Sequence, residues 1–198
     1  AAGKNKEAIE FFTKATQIDP TFGRAYGGLA VSLTRLGRTK EAEENWQEAL
    51  QYLDKMSDRE KYRLLGMYYS VVTRNIKTAR DTYKTLVDQY PADGAGHNNL
   101  AVSYFNLREF DKAVSEAQIA LQIYPNNALY RSNNALYAMY AGNFQVATEQ
   151  ASKLVADGTA SYDTYLPLAI SAIANGKPDA ARDAYKKMAA EDSTGASL

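Results

Sequence analysis

The chain has 198 residues, one histidine, no cysteine and a formal net charge of zero. Without cysteine it forms no disulfide, and His97 alone does not supply the ligands of an ordinary zinc site. The balanced charge creates no strong field for a polyanion, so we expect no nucleic acid partner. A chain of this length buries a core without a metal staple, and no apolar run is long enough for a membrane span. We therefore expect neither metal nor cofactor.

Hydrophobic residues at helical spacing predict an all-α chain of eleven helices. Gly37 and Gly142 fall at turns, and Pro178 falls in the first turn of the last helix. Pro20 and Pro91 each follow the end of a helix. The predicted helices cover residues 4–18, 22–36, 39–53, 59–73, 77–89, 94–107, 110–123, 128–141, 144–156, 162–175 and 178–190.

The helices repeat in pairs with a period of 34 residues. At this offset Phe110 falls on Phe144 and Ala101 falls on Ala135, and one further step reaches Ala169. Small residues let two antiparallel helices approach closely, and large residues fill the remaining space between them. Because one hairpin alone leaves an apolar face bare, such hairpins must stack on one another.

These residues resemble the tetratricopeptide (TPR) repeat, whose pattern combines aromatic, Leu and small residues with two Ala and a closing Pro. The unit that fits best reads Tyr26, Leu29, Ala30, Leu33, Ala42, Trp46 and Ala49, with Asp54 in place of Pro. The resemblance implies an α-solenoid of about five and a half hairpins, wound as a right-handed superhelix. The array spans 1–198, with a half repeat at 1–20 and repeats at 23–56, 59–91, 94–127, 128–161 and 162–195. Since it begins inside a repeat, we expect a fragment of a longer protein.

Two irregular links and one irregular repeat interrupt the pattern. The turn VTRNI holds an inserted residue, and the link DKMSDRE is longer than usual. These links either change the local curvature or form tolerated surface loops. In repeat 128–161, Arg131 and Asn134 replace an aromatic residue and Leu. Because buried amides need partners, the pattern favours a structural polar cluster of His97 and Asn134. The alternatives are a slipped helix register and a ligand-sensing site.

Catalytic patterns are missing from the sequence, so we expect no enzyme activity in this chain. It has no phosphate-binding P-loop, and the glycines of GAGH, which ends at His97, fall at a helix start where they serve turn geometry. A basic stretch is more typical of a solvated face than of an anion site. Its cations are Arg59, Lys61, Arg63, Arg74, Lys77 and Arg80.

The concave side, formed by the first helix of each pair, is the predicted binding groove for a protein or peptide. It grades from basic through amide to apolar residues, and amides can bond a peptide backbone while aromatic side chains form pockets. Asn99 and Asn133 serve either this purpose or packing, since Asn is frequent there in TPR repeats. The Lys and Asn pair with which TPR cochaperones hold a terminal carboxylate is missing. The predicted groove residues are Arg63, Met67, Asn98, Asn99, Val102, Phe105, Ser132, Asn133, Leu136, Met139, Tyr140, Leu166 and Ile170.

A second resemblance is to the TPR regions attached to bacterial eukaryotic-type Ser/Thr protein kinases. It rests on LDKMSDREKYRLLGMYYSVVTRNIKTARDTYKTLVDQYPADGAGHNNLA and RSNNALYAMYAG. It implies, as the alternative to a docking module, a regulatory domain of a kinase whose catalytic domain lies outside this chain. We expect a cytoplasmic location, or alternatively an extracytoplasmic part of a membrane-anchored protein.

Both ends of the array are predicted to be apolar. Ile9 and Phe12 belong to a second helix without its own first helix, and Tyr185 and Met188 keep core positions in the last helix. Because repeat arrays need polar caps to stay monomeric, we expect end-to-end self-association.

Overall fold

The computed structural model describes residues 2–195, and this part of the chain contains eleven α-helices, one short 3-10 helix and no strand. The predicted all-α helical repeat is confirmed. Each helix boundary lies within two residues of its predicted place, except that the last helix extends to Gly195. The helices are α1 (Ala2–Ile18), α2 (Gly23–Arg35), α3 (Thr39–Gln51), α4 (Asp58–Val71), α5 (Ile76–Gln89), α6 (Gly94–Asn106), α7 (Phe110–Ile123), α8 (Ala128–Tyr140), α9 (Phe144–Ala156), α10 (Tyr162–Ala174) and α11 (Pro178–Gly195).

Short polar side chains cap the starts of α6 and α8. Asp93 Oδ1 accepts a hydrogen bond from Gly96 N at 2.8 Å at the start of α6. Asn127, one repeat later, accepts one from Tyr130 N at 3.1 Å at the start of α8. Such caps satisfy backbone donors that have no partner within the helix. The 34-residue period therefore governs the helix boundaries as well as the apolar pattern.

The chain consists of two compact units, one ending at Leu86 and the other beginning at Val87. In the first unit, Trp46, Ala49 and Leu64 form a buried cluster that also includes Met56. Met56 belongs to the long link after α3, which also carries the 3-10 helix Leu53–Lys55. Since Met56 is only 8% exposed, this link contributes to the core and is more than a surface loop.

Repeat 59–91 pairs a glycine with a large aromatic ring. Tyr83 on α5 is 2% exposed, and a Cβ atom on Gly66 of α4 would lie 2.5 Å from its ring. Only glycine leaves room for this ring, because a Cβ atom does not approach a neighbouring ring that closely. The turn that joins the two helices contains Arg74 with φ of 54°, which accommodates the inserted residue.

The second unit buries the small residues that the repeat predicts. Ala101, Ala113, Ala135 and Ala147 all have 0% exposure. They lie where α6 meets α7 and where α8 meets α9, two of the most extensive helix interfaces in this unit. Close approach of the helices therefore depends on these methyl groups.

The start of α4 makes stability depend on pH. Glu60 Oε2 accepts hydrogen bonds from the Ser57 hydroxyl at 2.8 Å and from the Ser57 backbone N at 3.1 Å. Both bonds lower the pKa of Glu60, and the bond from the Ser57 hydroxyl has the larger effect. A carboxyl group whose pKa is lower in the folded chain stabilises it above the unfolded pKa, and this stabilisation is lost as pH falls through the folded pKa.

We therefore expect Glu60→Gln to destabilise the chain at pH 7 and to differ less from the wild type as pH falls towards about 3. Urea denaturation at several pH values measures this difference. Glu43→Gln, which alters an exposed carboxylate on α3, is the control. A difference between Glu60→Gln and the wild type that stays constant from pH 7 to about pH 3 would contradict this interpretation.

Candidate functional site

Eleven of the predicted groove residues lie on three helices of the second unit, α6, α8 and α10. Arg63 and Met67 lie in the first unit on α4, where Met67 packs beside the cluster around Trp46. In the second unit, Asn98 and Met139 are buried, with exposures of 6% and 8%. The remaining residues are partly or fully accessible. They are Asn99, Val102, Phe105, Ser132, Asn133, Leu136, Tyr140, Leu166 and Ile170.

Three side-chain amides form a row across α6 and α8. Asn133 Nδ2 donates to Asn98 Oδ1 at 2.9 Å, and Asn98 Nδ2 donates to Asn99 Oδ1 at 3.2 Å. This amide row ends at Asn133 Oδ1, which accepts no hydrogen bond from any residue that the structure describes. A partly exposed amide oxygen that is already oriented by its own Nδ2 bond is suited to accept a backbone N–H of a peptide.

An aromatic cluster lies towards the carboxyl ends of the same helices. The Phe105 ring is 4.7 Å from that of Tyr137 and 5.2 Å from that of Tyr140, measured between ring centroids. Phe110 stacks on Tyr140 at 5.4 Å. Burial raises the pKa of Tyr137, which is therefore neutral over the physiological range. Tyr140 is 51% exposed, so packing holds its ring firmly while leaving half of it accessible.

Beside Tyr140 is an open hollow of about 430 Å³ with charged walls. Its lining includes Arg108 and Glu109 from the link between α6 and α7, and Asp111 and Lys112 from the first turn of α7. Lys112 and Glu109 form an ion pair at 2.6 Å. Arg108 forms no ion pair with any side chain that the structure describes, so its guanidinium can receive a carboxylate.

His97 is held by two polar contacts in the second unit. Its Nε2 lies 2.9 Å from the Pro91 carbonyl oxygen, and its Nδ1 lies 2.6 Å from Glu116 Oε2. A carbonyl only accepts, so Nε2 carries a proton, and the contact with Glu116 needs a second proton on Nδ1 or on the carboxyl group. His97 thus connects α6 to α7 and to the link before α6.

The same arrangement recurs one repeat later. Arg131 Nη1 donates to Gln150 Oε1 at 2.8 Å, and Nη2 donates to the Pro125 carbonyl oxygen. In the first unit Tyr26 also donates to the carbonyl six residues earlier, that of Pro20, at 3.2 Å. We call the paired contacts of His97 and of Arg131 the polar brace. It was not predicted from the sequence, although the 34-residue offset places Pro125 on Pro91 and Gln150 on Glu116.

The predicted polar cluster of His97 and Asn134 is wrong, because His97 bonds Pro91 and Glu116 instead. Asn134 is 1% exposed, and neither of its amide atoms has a hydrogen-bond partner among the residues described. The helix register is not slipped, since Ala135 keeps its buried position. Asn134 borders an open cavity of about 290 Å³, which is large enough for water.

Other candidate features have simple structural roles or carry no site. Gly94 of the GAGH segment packs against the ring of Tyr124. No group of three or more histidine and carboxylate side chains in the described part could hold a metal. Among the same residues, no helix is both long and apolar enough to cross a membrane.

In α1 the side chains of Phe11 and Ile18 are 62% and 85% exposed, and self-association stays a prediction.

Solved structures with the same fold come from proteins of different roles, all at low sequence identity. A chain of the APC/C hetero-tetramer Cut9-Hcn1 superposes with a TM-score of 0.74 at 21% identity, covering 95% of this chain and 37% of that one. PilW, a widely conserved type IV pilus biogenesis factor, gives 0.72 at 18% identity, with coverages of 94% and 85%. A thermophilic TPR protein of Thermus thermophilus gives 0.65 at 21%, with coverages of 86% and 92%.

At these identities the structures share the fold alone, and this chain spans little more than a third of the Cut9-Hcn1 chain. No curated protein sequence matches the chain significantly. Family models described as tetratricopeptide repeat match residues 1–60, 71–128 and 133–196. Arrays of such repeats use extended surfaces to bind protein partners. With its helix pairs, its 34-residue period and these matches, the chain belongs to the tetratricopeptide repeat family.

Proposed function

We propose that the second unit docks an extended segment of a partner protein along α6, α8 and α10. The observation that carries the proposal is the amide row, which ends on the unpaired Oδ1 of Asn133 beside accessible apolar side chains. Amides at regular spacing bond the backbone of a peptide, and Tyr140 offers a rigid ring to one of its side chains. A docking role next to a kinase domain of the same protein would use the same groove.

The charges beside Tyr140 define the expected peptide more closely. Arg108 lies in the wall of the same hollow as Tyr140. A peptide with an apolar or aromatic residue for Tyr140 and an acidic residue a few positions away would satisfy both groups. We therefore expect selected peptides to be enriched in Asp or Glu next to a large apolar residue.

Selection from a random peptide library on the immobilised chain, followed by calorimetry, tests the proposal. Losing an aromatic hot spot costs about 2 kcal/mol, so Tyr140→Ala is expected to weaken binding about thirtyfold. Asn133→Ala is expected to weaken binding by roughly tenfold, because a backbone donor of the peptide loses its acceptor. Phe105→Ala is a less clean probe, since Phe105 also supports Tyr137 and Tyr140.

Tyr185→Ala is the matched control, because Tyr185 is a partly exposed tyrosine on α11, outside the predicted groove. It is expected to leave the affinity unchanged. Selected peptides that bind Tyr140→Ala, Phe105→Ala and Asn133→Ala as tightly as the wild type would exclude this groove as the docking site.

A further inference from the structure

The first helix of the chain, α1, carries large apolar side chains on two faces. On one face Ile9 and Phe12 pack against a cluster that includes Leu29. On the opposite face Phe11 and Ile18 are largely exposed. Seven residues make nearly two helical turns, so Phe11 and Ile18 lie on one line along the helix. Two large apolar side chains on one line of a helix form a surface that is suited to packing against another helix.

The same line carries one charge of each sign. Glu7 lies four residues before Phe11 and Lys14 lies three residues after it, and both are exposed. Residues at these spacings share one face of a helix. Neither Glu7 nor Lys14 forms an ion pair with a residue that the structure describes. We call the four residues Glu7, Phe11, Lys14 and Ile18 the α1 stripe.

The position of Phe11 faces another helix in a later repeat. Phe11 lies three residues after Ala8, a small residue of the repeat pattern. In α7, Glu116 lies three residues after Ala113 and bonds His97 on the antiparallel helix α6. The α1 stripe therefore corresponds to a surface that receives an antiparallel helix elsewhere in this chain.

The order of residues in the α1 stripe is self-complementary. The two charged residues flank Phe11 on opposite sides at nearly equal distances. When two copies of α1 pack antiparallel about an axis next to Phe11, Glu7 of each copy therefore faces Lys14 of the other. A parallel pair would place Glu7 on Glu7 and Lys14 on Lys14, and like charges repel. The charges thus favour the antiparallel pair.

The last helix, α11, does not offer the same pattern. Its exposed aromatic residue is Tyr185, and the residues four before and three after it are Ala181 and Met188. No charge stands at either position. A second α1 therefore complements the charges of the α1 stripe better than α11 of another copy does.

We propose that two copies of this chain form a symmetric dimer in which their α1 stripes pack antiparallel. A two-fold contact uses the same surface on both copies and closes, so association stops at the dimer. One helix pair buries less than the area of a standard stable interface, so we expect a dissociation constant of about 100 µM. Well below this concentration the chain is a monomer, and Phe11 is then exposed.

Sedimentation equilibrium of the chain from about 5 µM to about 1 mM measures this association. We expect the mass to rise from that of the monomer, 21.8 kDa, towards twice this value and no further. A chain that stays monomeric up to about 1 mM would overturn the proposal and leave the α1 stripe to a different partner. A mass that rises beyond the dimer would also overturn it, because only an open, end-to-end contact continues in this way.

Charge variants test the antiparallel register. Lys14→Glu places a glutamate opposite Glu7 on both sides of the axis, and we expect it to weaken dimerisation about tenfold. Glu7→Lys is expected to do the same by placing lysine opposite lysine. The double variant that combines Glu7→Lys with Lys14→Glu restores both pairs, so we expect it to dimerise as tightly as the wild type. A double variant as weak as either single variant, or single variants as tight as the wild type, would exclude this register.

Phe11→Asp removes the central apolar contact and is expected to abolish the dimer up to about 1 mM. Dimerisation of this variant at wild-type strength would place the contact elsewhere. Glu43→Lys makes the same change of charge as Glu7→Lys at an exposed site on α3, and as the control it is expected to leave dimerisation unchanged. All the substituted side chains are exposed, so circular dichroism at low concentration is expected to show wild-type folding.

The dimer and the peptide-docking groove are tested independently. The α1 stripe belongs to the first unit, whereas the groove residues of α6, α8 and α10 belong to the second. Tyr140→Ala is therefore expected to dimerise like the wild type, and Phe11→Asp is expected to bind selected peptides like the wild type. Failure of one proposal leaves the other standing.

Discussion

Replacing Tyr83 by alanine is expected to lower the free energy of unfolding of the first unit by about 3–5 kcal/mol. The Tyr83 ring is 2% exposed and lies on Gly66, where no side chain can fill the space that the ring would leave. Urea denaturation followed by fluorescence measures this change, because Trp46, the single tryptophan, is buried in the same unit.

Phe11→Ala is the control for Tyr83→Ala. It removes an aromatic ring of the same unit that is 62% exposed, and we expect it to change the free energy of unfolding by less than about 0.5 kcal/mol. Equal denaturation curves for the two variants would mean that Tyr83 does not fill the space between α4 and α5.

Ala147→Leu is expected to destabilise the second unit by about 1–3 kcal/mol and to lower the melting temperature by several degrees. Ala147 has 0% exposure and lies where α9 meets α8, so a larger side chain must push these helices apart. Circular dichroism during heating measures the shift.

Ala156→Leu adds the same carbon atoms at the exposed carboxyl end of α9 and is expected to leave the melting curve unchanged. If both leucine variants melt like the wild type, the assignment of Ala147 to the close-contact position of the repeat is wrong.

The positions of the helices followed directly from the sequence period. Ala101, Ala135 and Ala169 recur at one offset, and all three are fully buried. A period carried by several residues in each 34-residue repeat fixes the register of every helix pair at once. A shift of one residue would expose all the small residues together. This redundancy explains why the predicted helix boundaries were accurate.

Single polar contacts were less predictable. From the sequence we expected that His97 and Asn134, which both need polar partners, would bond each other. In the structure His97 bonds Glu116 on the next helix instead. Which of several nearby groups a long side chain reaches depends on its rotamer and on the helix crossing, and neither follows from a repeat pattern. Asn134 has no partner in the described part of the chain at all.

Docking of a peptide by the second unit on α6, α8 and α10 can be mapped residue by residue. NMR shift mapping with a library-selected peptide tests this docking most directly. The backbone amides of α6, α8 and α10 give signals separate from those of α7, α9 and α11. We predict that the largest shifts fall on the accessible groove residues Asn99, Asn133, Leu136 and Ile170, and that they disappear in Tyr140→Ala at the same peptide concentration. Shifts confined to α7, α9 and α11 would contradict the claim.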